Sequence, residues 1–413
     1  MTALLLRGPP GTGKTSKVLT EIVSQLVTQG ENVLVLAFTN KAVNEICEKL
    51  HQNGLPFLRL GRSSKNTEGG NYWADWIQKT PFKLQDVHQK LMETPVIVAT
   101  QLTMLGHLDL FDLKKFKTAI IDEASQLVEP QIVGILTKVD RFILIGDDKQ
   151  LPAVVQQSTE ESRVTSKHLT NIGLNNMRES LFYRLLNQAQ SHNWTKAYGL
   201  LTHHRRMHHD IAAFINTQFY EQKLQLGNHS VQTQKFDNQL LTHSNWLDKA
   251  MQQSRLVFVP SKADTTSKRN IYEAEHIAEW INHIATNYSD WYGKPFLPSQ
   301  SLGVITPYRA QIAEIRKILR GSFEDVMIDT VERFQGGERD VILISYAVRH
   351  AAQLENLVAL TPCGKVDRKL NVALSRAKQH IIITGVEAVL RQKPFFNNLI
   401  DHIIDCGGYA QID

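Results

Sequence analysis

Gly8-Pro9-Pro10-Gly11-Thr12-Gly13-Lys14-Thr15 stands between a short apolar run at residues 3–6 and a segment in which Val18, Ile22 and Leu26 recur every fourth residue. The run reads as a strand and the repeat as one face of a helix. A glycine-rich loop in that position lets the backbone turn back on itself, so that successive N–H groups point at the oxygens of a nucleotide's phosphates. The spacing G-x-x-x-x-G-K-[ST] puts Lys14 within reach of the terminal phosphates and the Thr15 hydroxyl where it would ligate Mg2+. Gly8, Pro9, Pro10, Gly11, Thr12, Gly13, Lys14 and Thr15 are therefore the candidate nucleotide-binding residues. A glycine-rich turn without a ligand is the alternative, and the flanking strand and helix weigh against it.

Continuous apolar runs follow at residues 33–37, 96–99, 118–121 and 142–145. Each ends in a polar loop: Phe38-Thr39-Asn40, Thr100-Gln101, Asp122-Glu123-Ala124-Ser125 and Gly146-Asp147-Asp148-Lys149-Gln150. Runs without alternation are typical of strands buried on both faces of a parallel sheet, and ligands of such sheets sit outside the carboxyl ends of the strands. Asp122-Glu123 directly after an apolar strand suits a magnesium–nucleotide site, with Asp122 holding the ion and Glu123 polarising the attacking water. The blander reading of the pair is a solvated acidic turn. Between residues 54 and 95 the pattern loosens into glycines, prolines and aromatics, Trp73 among them, which predicts an insertion at the sheet edge.

A chain of 413 residues exceeds what one hydrophobic core usually supports, so two domains are expected, 1–200 and 201–413. Residues 158–198 read as polar and helical. Beyond them a second α/β series runs through strands at 256–259, 303–305, 326–328, 341–344 and 381–383. Its helices carry Ala274, Ile277, Ile281 and Ile284, then Ile312, Ile315 and Leu319. It has no cradle of its own. A net charge of +5 permits a polyanionic partner without demanding one. Cys47, Cys363 and Cys406 lie far apart, which argues against a zinc or disulfide framework and for a reducing compartment. No apolar run is long enough to span a bilayer and no cleavable leader is visible. The expectation is a soluble, cytoplasmic protein with no membrane partner, or a nuclear one in a eukaryote.

Six further blocks occur in order: Asp122-Glu123-Ala124-Ser125-Gln126, Gly146-Asp147-Asp148-Lys149-Gln150-Leu151-Pro152, Arg205-Arg206-Met207-His208, Thr306-Pro307-Tyr308-Arg309-Ala310-Gln311, Phe334-Gln335-Gly336-Gly337-Glu338-Arg339-Asp340 and Leu370-Asn371-Val372-Ala373-Leu374-Ser375-Arg376-Ala377-Lys378. Together with the cradle they resemble superfamily 1, group B, helicases, the group of the nonsense-mediated-decay helicase and its DNA-acting relatives, from Gly8 to about Gly385. The resemblance implies an α/β fold of two tandem RecA-like P-loop NTPase domains with parallel sheets and the ATP cleft between them. It implies a monomeric, ATP-dependent helicase or translocase that moves 5′-to-3′ on single-stranded DNA or RNA, with ATP and Mg2+ as cofactors.

The resemblance also assigns roles. Lys14, Thr15, Asp122 and Glu123 keep those given above; Gln150 would sense the terminal phosphate, and Arg206 and Arg376 would act as arginine fingers. Gln335 and Glu338 match the block that touches nucleotide and strand, and Thr39, Asn40, Thr100, Thr306 and Thr330 match strand contacts. Small hydroxyl and amide groups suit phosphates, which position a polymer without reading its bases. Tyr308 and Trp73 could stack on bases, but each reads equally well as a packing aromatic.

Departures from the group are specific. Only Met1 to Arg7 precede Gly8, where the group carries a glutamine-containing adenine-recognition segment and usually a small barrel. Either the frame is truncated or the base is recognised elsewhere. Arg205 replaces a tyrosine expected to stack on the base, and Ser375 replaces a threonine. A strand-stimulated ATPase that clamps or translocates without unwinding is the alternative within the class. A GTPase-type switch is more distant, because Asn40-Lys41 is followed by Val43 where N-K-x-D needs an aspartate. His204 and His208 stand four apart and could chelate a metal, though histidine is ordinary in the block they occupy.

Overall fold

The structure is a computed structural model that describes residues 2–61, 83–236, 245–265 and 268–410. Trp73 and half of the insertion read between 54 and 95 lie outside the described residues. Contacts divide the chain into two compact units, Met1–Asp148 with Pro152–Thr202, and Lys149–Leu151 with His203–Asp413.

In the first unit the described strands are β1 (Thr2–Arg7), β2 (Val33–Ala37), β3 (Phe57–Arg59), β4 (Val96–Thr100), β5 (Thr118–Ile121), β6 (Arg141–Gly146) and β7 (Tyr198–Leu200). They form one sheet in the order β3-β4-β2-β5-β6-β1-β7, with every pair parallel. Alternation along a strand sends successive side chains to opposite faces. Leu34 and Leu36 accordingly join one core with Ile97, Ile121 and Leu144, while Val33, Val35 and Ala37 join the other with Val98 and Ile120. Because all strands run the same way, the loops after β1, β2, β4, β5 and β6 emerge on a single edge.

The second unit repeats the plan. A two-residue pair, β8 (His203–His204) with β9 (Gln225–Leu226), precedes β10 (Leu256–Pro260), β11 (Leu302–Ile305), β12 (Met327–Asp329), β13 (Arg339–Ser345) and β14 (Ala377–Gly385). The larger sheet is parallel throughout, in the order β10-β14-β13-β11-β12. The helix Ile271–Tyr292 covers one face, started by Asn270, whose side chain accepts from Glu273 N, and stopped at Gly293, whose φ of 65° suits glycine.

Two sequence expectations are corrected here. The stretch read as helical to residue 198 contains the helices Lys167–Asn171 and Leu181–Ser191 but ends in β7, a three-residue edge strand too short to leave a periodic signal. The strand read at 326–328 is displaced by one residue, so that Asp329 closes it. Among the described residues no helix is long and apolar enough to cross a membrane.

Candidate functional site

The cradle follows β1 directly. Gly11 and Gly13 hold φ of 74° and 78°, left-handed values that glycine adopts without a steric penalty. Gly8 is required for a different reason: a Cβ there would meet Lys14 Cγ at 2.1 Å. The Lys14 stem lies over it and Lys14 Nζ donates to the Gly8 carbonyl at 2.6 Å. Thr12 Oγ1 donates to Pro9 O at 2.7 Å, closing the loop on itself. The chain then enters a wide π-type turn, Lys14–Leu19, before the regular helix Thr20–Thr28. Phosphate oxygens are the natural acceptors for Lys14 in place of the Gly8 carbonyl.

The loop after β5 meets the cradle within the same unit. Thr15 Oγ1 donates to Asp122 Oδ2 at 2.6 Å. Asp122 is buried, and desolvation followed by the neighbouring Glu123 charge pushes its carboxyl well above the usual range. A hydroxyl and a carboxylate oxygen at this distance are a hard donor set that fits Mg2+, and a cation there would relieve the burial of the Asp122 charge. Glu123 adopts φ 51° and ψ 38°, a left-handed conformation that costs a non-glycine residue energy and is held by its neighbours. Its N–H donates to Asp122 Oδ1 at 3.0 Å, and Gln126 Nε2 donates to Glu123 Oε2 at 3.2 Å. Gln126 was visible in the quoted block but its orienting contact was not.

In the second unit, Arg206, Glu338 and Lys378 form one ion cluster. Arg206 Nε pairs with Glu338 Oε2 at 2.6 Å and Lys378 Nζ with Glu338 Oε1 at 2.8 Å. Burial alone would raise the Glu338 carboxyl, but Arg206 and Lys378 outweigh it and hold it down to about 2. Arg376 is buried, with its guanidinium donating to Val372 O, Gly337 O and Ser375 Oγ. The structure thus brings Arg206, Glu338, Lys378 and the Ser375–Arg376 turn together. Gln335 Nε2 is buried with no hydrogen-bond partner, a donor available to a ligand. Gln150 is buried and sits in the three-residue segment Lys149–Leu151 that belongs to this unit. Arg205 is exposed, its Nε donating to Gly227 O at 3.2 Å.

The candidate strand residues divide by exposure. Thr39 is exposed and caps the helix Asn40–Gln52 by accepting from Ala42 N at 3.1 Å. Asn40 is exposed too, but its Oδ1 accepts from Arg59 Nη2 at 3.2 Å, tying the helix start to β3. Thr100 is buried and caps the helix Gln101–Leu105 through Thr103 N. Thr330 precedes the helical turn Val331–Phe334 and is half-buried. Thr306 departs from the expectation of a surface contact: it continues β11 into the core, is fully buried, and its unpartnered hydroxyl lines a cavity of about 60 Å³ with Tyr346, Leu357 and Phe396.

The helix that would present His204 and His208 one turn apart is not formed: His204 lies in β8 and His208 precedes the helix His209–Phe219. His204 is buried against Gln232, and burial followed by Arg206 pushes its ring down to about 4. Ligand atoms of His208, His209 and Asp210 do lie within 4.8 Å of one another, and Asp210 already pairs with both rings.

Family models described as AAA domain match residues 2–75 and 71–158, and a further one with the same description matches 177–388, just over half of the chain. The chain belongs to this AAA-domain family, in its superfamily 1, group B, helicase branch, and its two units are tandem RecA-like domains. It is 29% identical over 419 residues to the DNA replication ATP-dependent helicase/nuclease DNA2 of Saccharomyces cerevisiae, covering 96% of this chain and 25% of that protein. To the protein of the same name from Gallus gallus it is 32% identical over 403 residues, covering 97% of this chain and 36% of that one. The chain therefore spans between a quarter and about a third of the curated relatives it matches. A solved arterivirus nonstructural protein 10 (helicase) resembles it at 13% identity and a TM-score of 0.48, over 96% of this chain and 61% of that one.

Proposed function

We propose that the chain is an ATP-driven motor that moves along single-stranded nucleic acid and parts duplexes, with DNA as its track and 5′-to-3′ as its direction. The observation that carries this reading is the Thr15–Asp122 hydrogen bond beside the strained Glu123, directly behind a complete phosphate cradle. DNA is favoured because relatives aligned over nearly the whole chain are named DNA replication helicase/nucleases.

In this reading the cradle N–H groups and Lys14 bind the phosphates, and Thr15 and Asp122 hold Mg2+. The ion would neutralise charge on the phosphate oxygens. Glu123, oriented by Gln126, orients the attacking water and accepts its proton. Arg206 and Arg376 stabilise charge developing on the transferred phosphoryl, and Gln150 reports its presence. Gln335 and Glu338 engage the nucleotide. Thr39, Asn40 and Thr330 grip the strand backbone in turn, and alternation between grips converts each hydrolysis into a step.

A forked DNA duplex with one labelled strand tests the reading. ATP-dependent displacement of the label, absent in Lys14→Ala, supports it. Strand-stimulated hydrolysis without displacement selects a clamp or translocase instead.

A further inference from the structure

Gln150 lies between two anchors, one residue to either side. On one side the Leu151 side chain is buried in the core of the second unit with Met207 and Ile211. On the other, Asn371 Nδ2 donates to the Lys149 carbonyl at 2.7 Å. The same amide donates its second hydrogen to Tyr220 Oη at 2.9 Å. A backbone carbonyl only accepts, so the contact fixes which end of the carboxamide faces Lys149. Asn371 is fully buried, and both its hydrogens are used.

The three elements that meet at this amide carry three candidate phosphate-sensing groups. Asn371 lies on the helix Arg368–Leu374, which runs into Ser375 and Arg376. Tyr220 closes the helix His209–Phe219, which begins three residues after Arg206. Lys149 precedes Gln150. We infer that Asn371 is a positioning residue for Gln150, holding its backbone in register with the elements that carry Arg206 and Arg376. The inference rests on the motor reading for the role of Gln150. Both hydrogens of the Asn371 amide go to Lys149 O and Tyr220 Oη, so it acts through the Lys149 carbonyl. Groups that must act on one phosphoryl need relative placement to within a fraction of an ångström, and a misplacement of about 1 Å costs on the order of a hundredfold in rate.

The test is steady-state ATP turnover with and without single-stranded poly-deoxythymidylate, in wild type, Asn371→Leu, Gln150→Ala, the double variant and Tyr220→Phe. Leucine keeps asparagine's branch at Cγ, is somewhat larger, and removes both hydrogen bonds. Asn371→Ser, whose hydroxyl is too short to reach the Lys149 carbonyl, replaces it if it does not fold. The expected result is a fall in kcat on the order of tenfold to a hundredfold. KM for ATP and affinity for the strand should stay within about twofold, because the Asn371 amide donates to Lys149 O and Tyr220 Oη and to no residue assigned to nucleotide or strand. On the Gln150→Ala background the substitution should add nothing, since the two act as one unit. Tyr220→Phe should retain most of the turnover. Unchanged kcat in a folded Asn371 variant, a full further loss on the Gln150→Ala background, or an equal loss in Tyr220→Phe each overturns the inference. A wild type indifferent to the strand would instead overturn the motor reading, and the Asn371 variants would then be judged on basal turnover.

Discussion

The Thr15 hydroxyl donates a 2.6 Å hydrogen bond to Asp122 Oδ2, joining residues 107 positions apart in the chain. One residue ends the phosphate cradle and the other follows β5, and the parallel sheet brings both to the same edge. The Lys14 charge partly offsets the burial of Asp122, but Lys14 Nζ itself donates to Gly8 O. That pairing is the arrangement a divalent ion would split.

Thr15→Val should therefore weaken nucleotide binding in the presence of Mg2+ by about tenfold or more while leaving Mg2+-free binding nearly unchanged. Titration of a fluorescent ATP analogue with and without the ion reads this directly. Equal losses under both conditions would mean that Thr15 serves the loop rather than a metal.

Glu123→Gln keeps the size of the side chain and removes its basicity. Turnover should fall by roughly a hundredfold to ten-thousandfold with nucleotide affinity retained. Gln126→Leu should cost less, about tenfold, because it loosens Glu123 without removing it. Parallel loss of binding and turnover in Glu123→Gln would contradict the assignment.

The two arginines should separate in their effect on folding. Arg206 is partly exposed and its ion pair with Glu338 contributes about 1 kcal/mol at most, so Arg206→Ala should melt near the wild-type temperature while losing about a thousandfold in kcat. Arg376 is buried and donates to Val372 O, Gly337 O and Ser375 Oγ, so Arg376→Ala should lower both the melting temperature and turnover. Calorimetry alongside the ATPase assay distinguishes them.

Glu273 gives the second unit a pH dependence. Its carboxylate accepts from Ser261 Oγ, Asn270 Nδ2, Ser345 Oγ and Ala347 N, yet burial outweighs these donors and raises it to about 7 from an ordinary 4.5. Between those values the unfolded chain gives up the proton and the folded chain keeps it, so stability falls as pH rises. Wild type should lose stability relative to Glu273→Gln from pH 4.5 to about 7, with a constant difference above. Denaturant melts at several pH values check this; a difference independent of pH would show that folding leaves the Glu273 carboxyl unshifted.

Much of this was legible in the sequence because the informative signals are local. Continuous apolar runs announced β1, β2, β4, β5, β6 and the five strands of the second sheet but not the short edge strands β3 and β7, and glycine spacing with Lys14 and Thr15 announced the cradle. Contacts between distant positions left no such trace. Asn40 has an oxygen committed to Arg59, and Thr306 is buried together with Ile305 and Tyr308. Residues 149–151 fold with the second unit although they lie within the sequence of the first. Each outcome depends on which side chain a position meets after the sheet has formed, and residue type alone does not encode that.

A motor of the proposed kind must couple ATP hydrolysis to a nucleic-acid strand. Steady-state turnover by the wild type, with and without single-stranded poly-deoxy and poly-ribo polymers, measures that coupling directly. Strong stimulation by the deoxy polymer is expected, reduced by added salt as phosphate contacts are screened, with near-abolition in Lys14→Ala. Turnover unchanged by either polymer would contradict it.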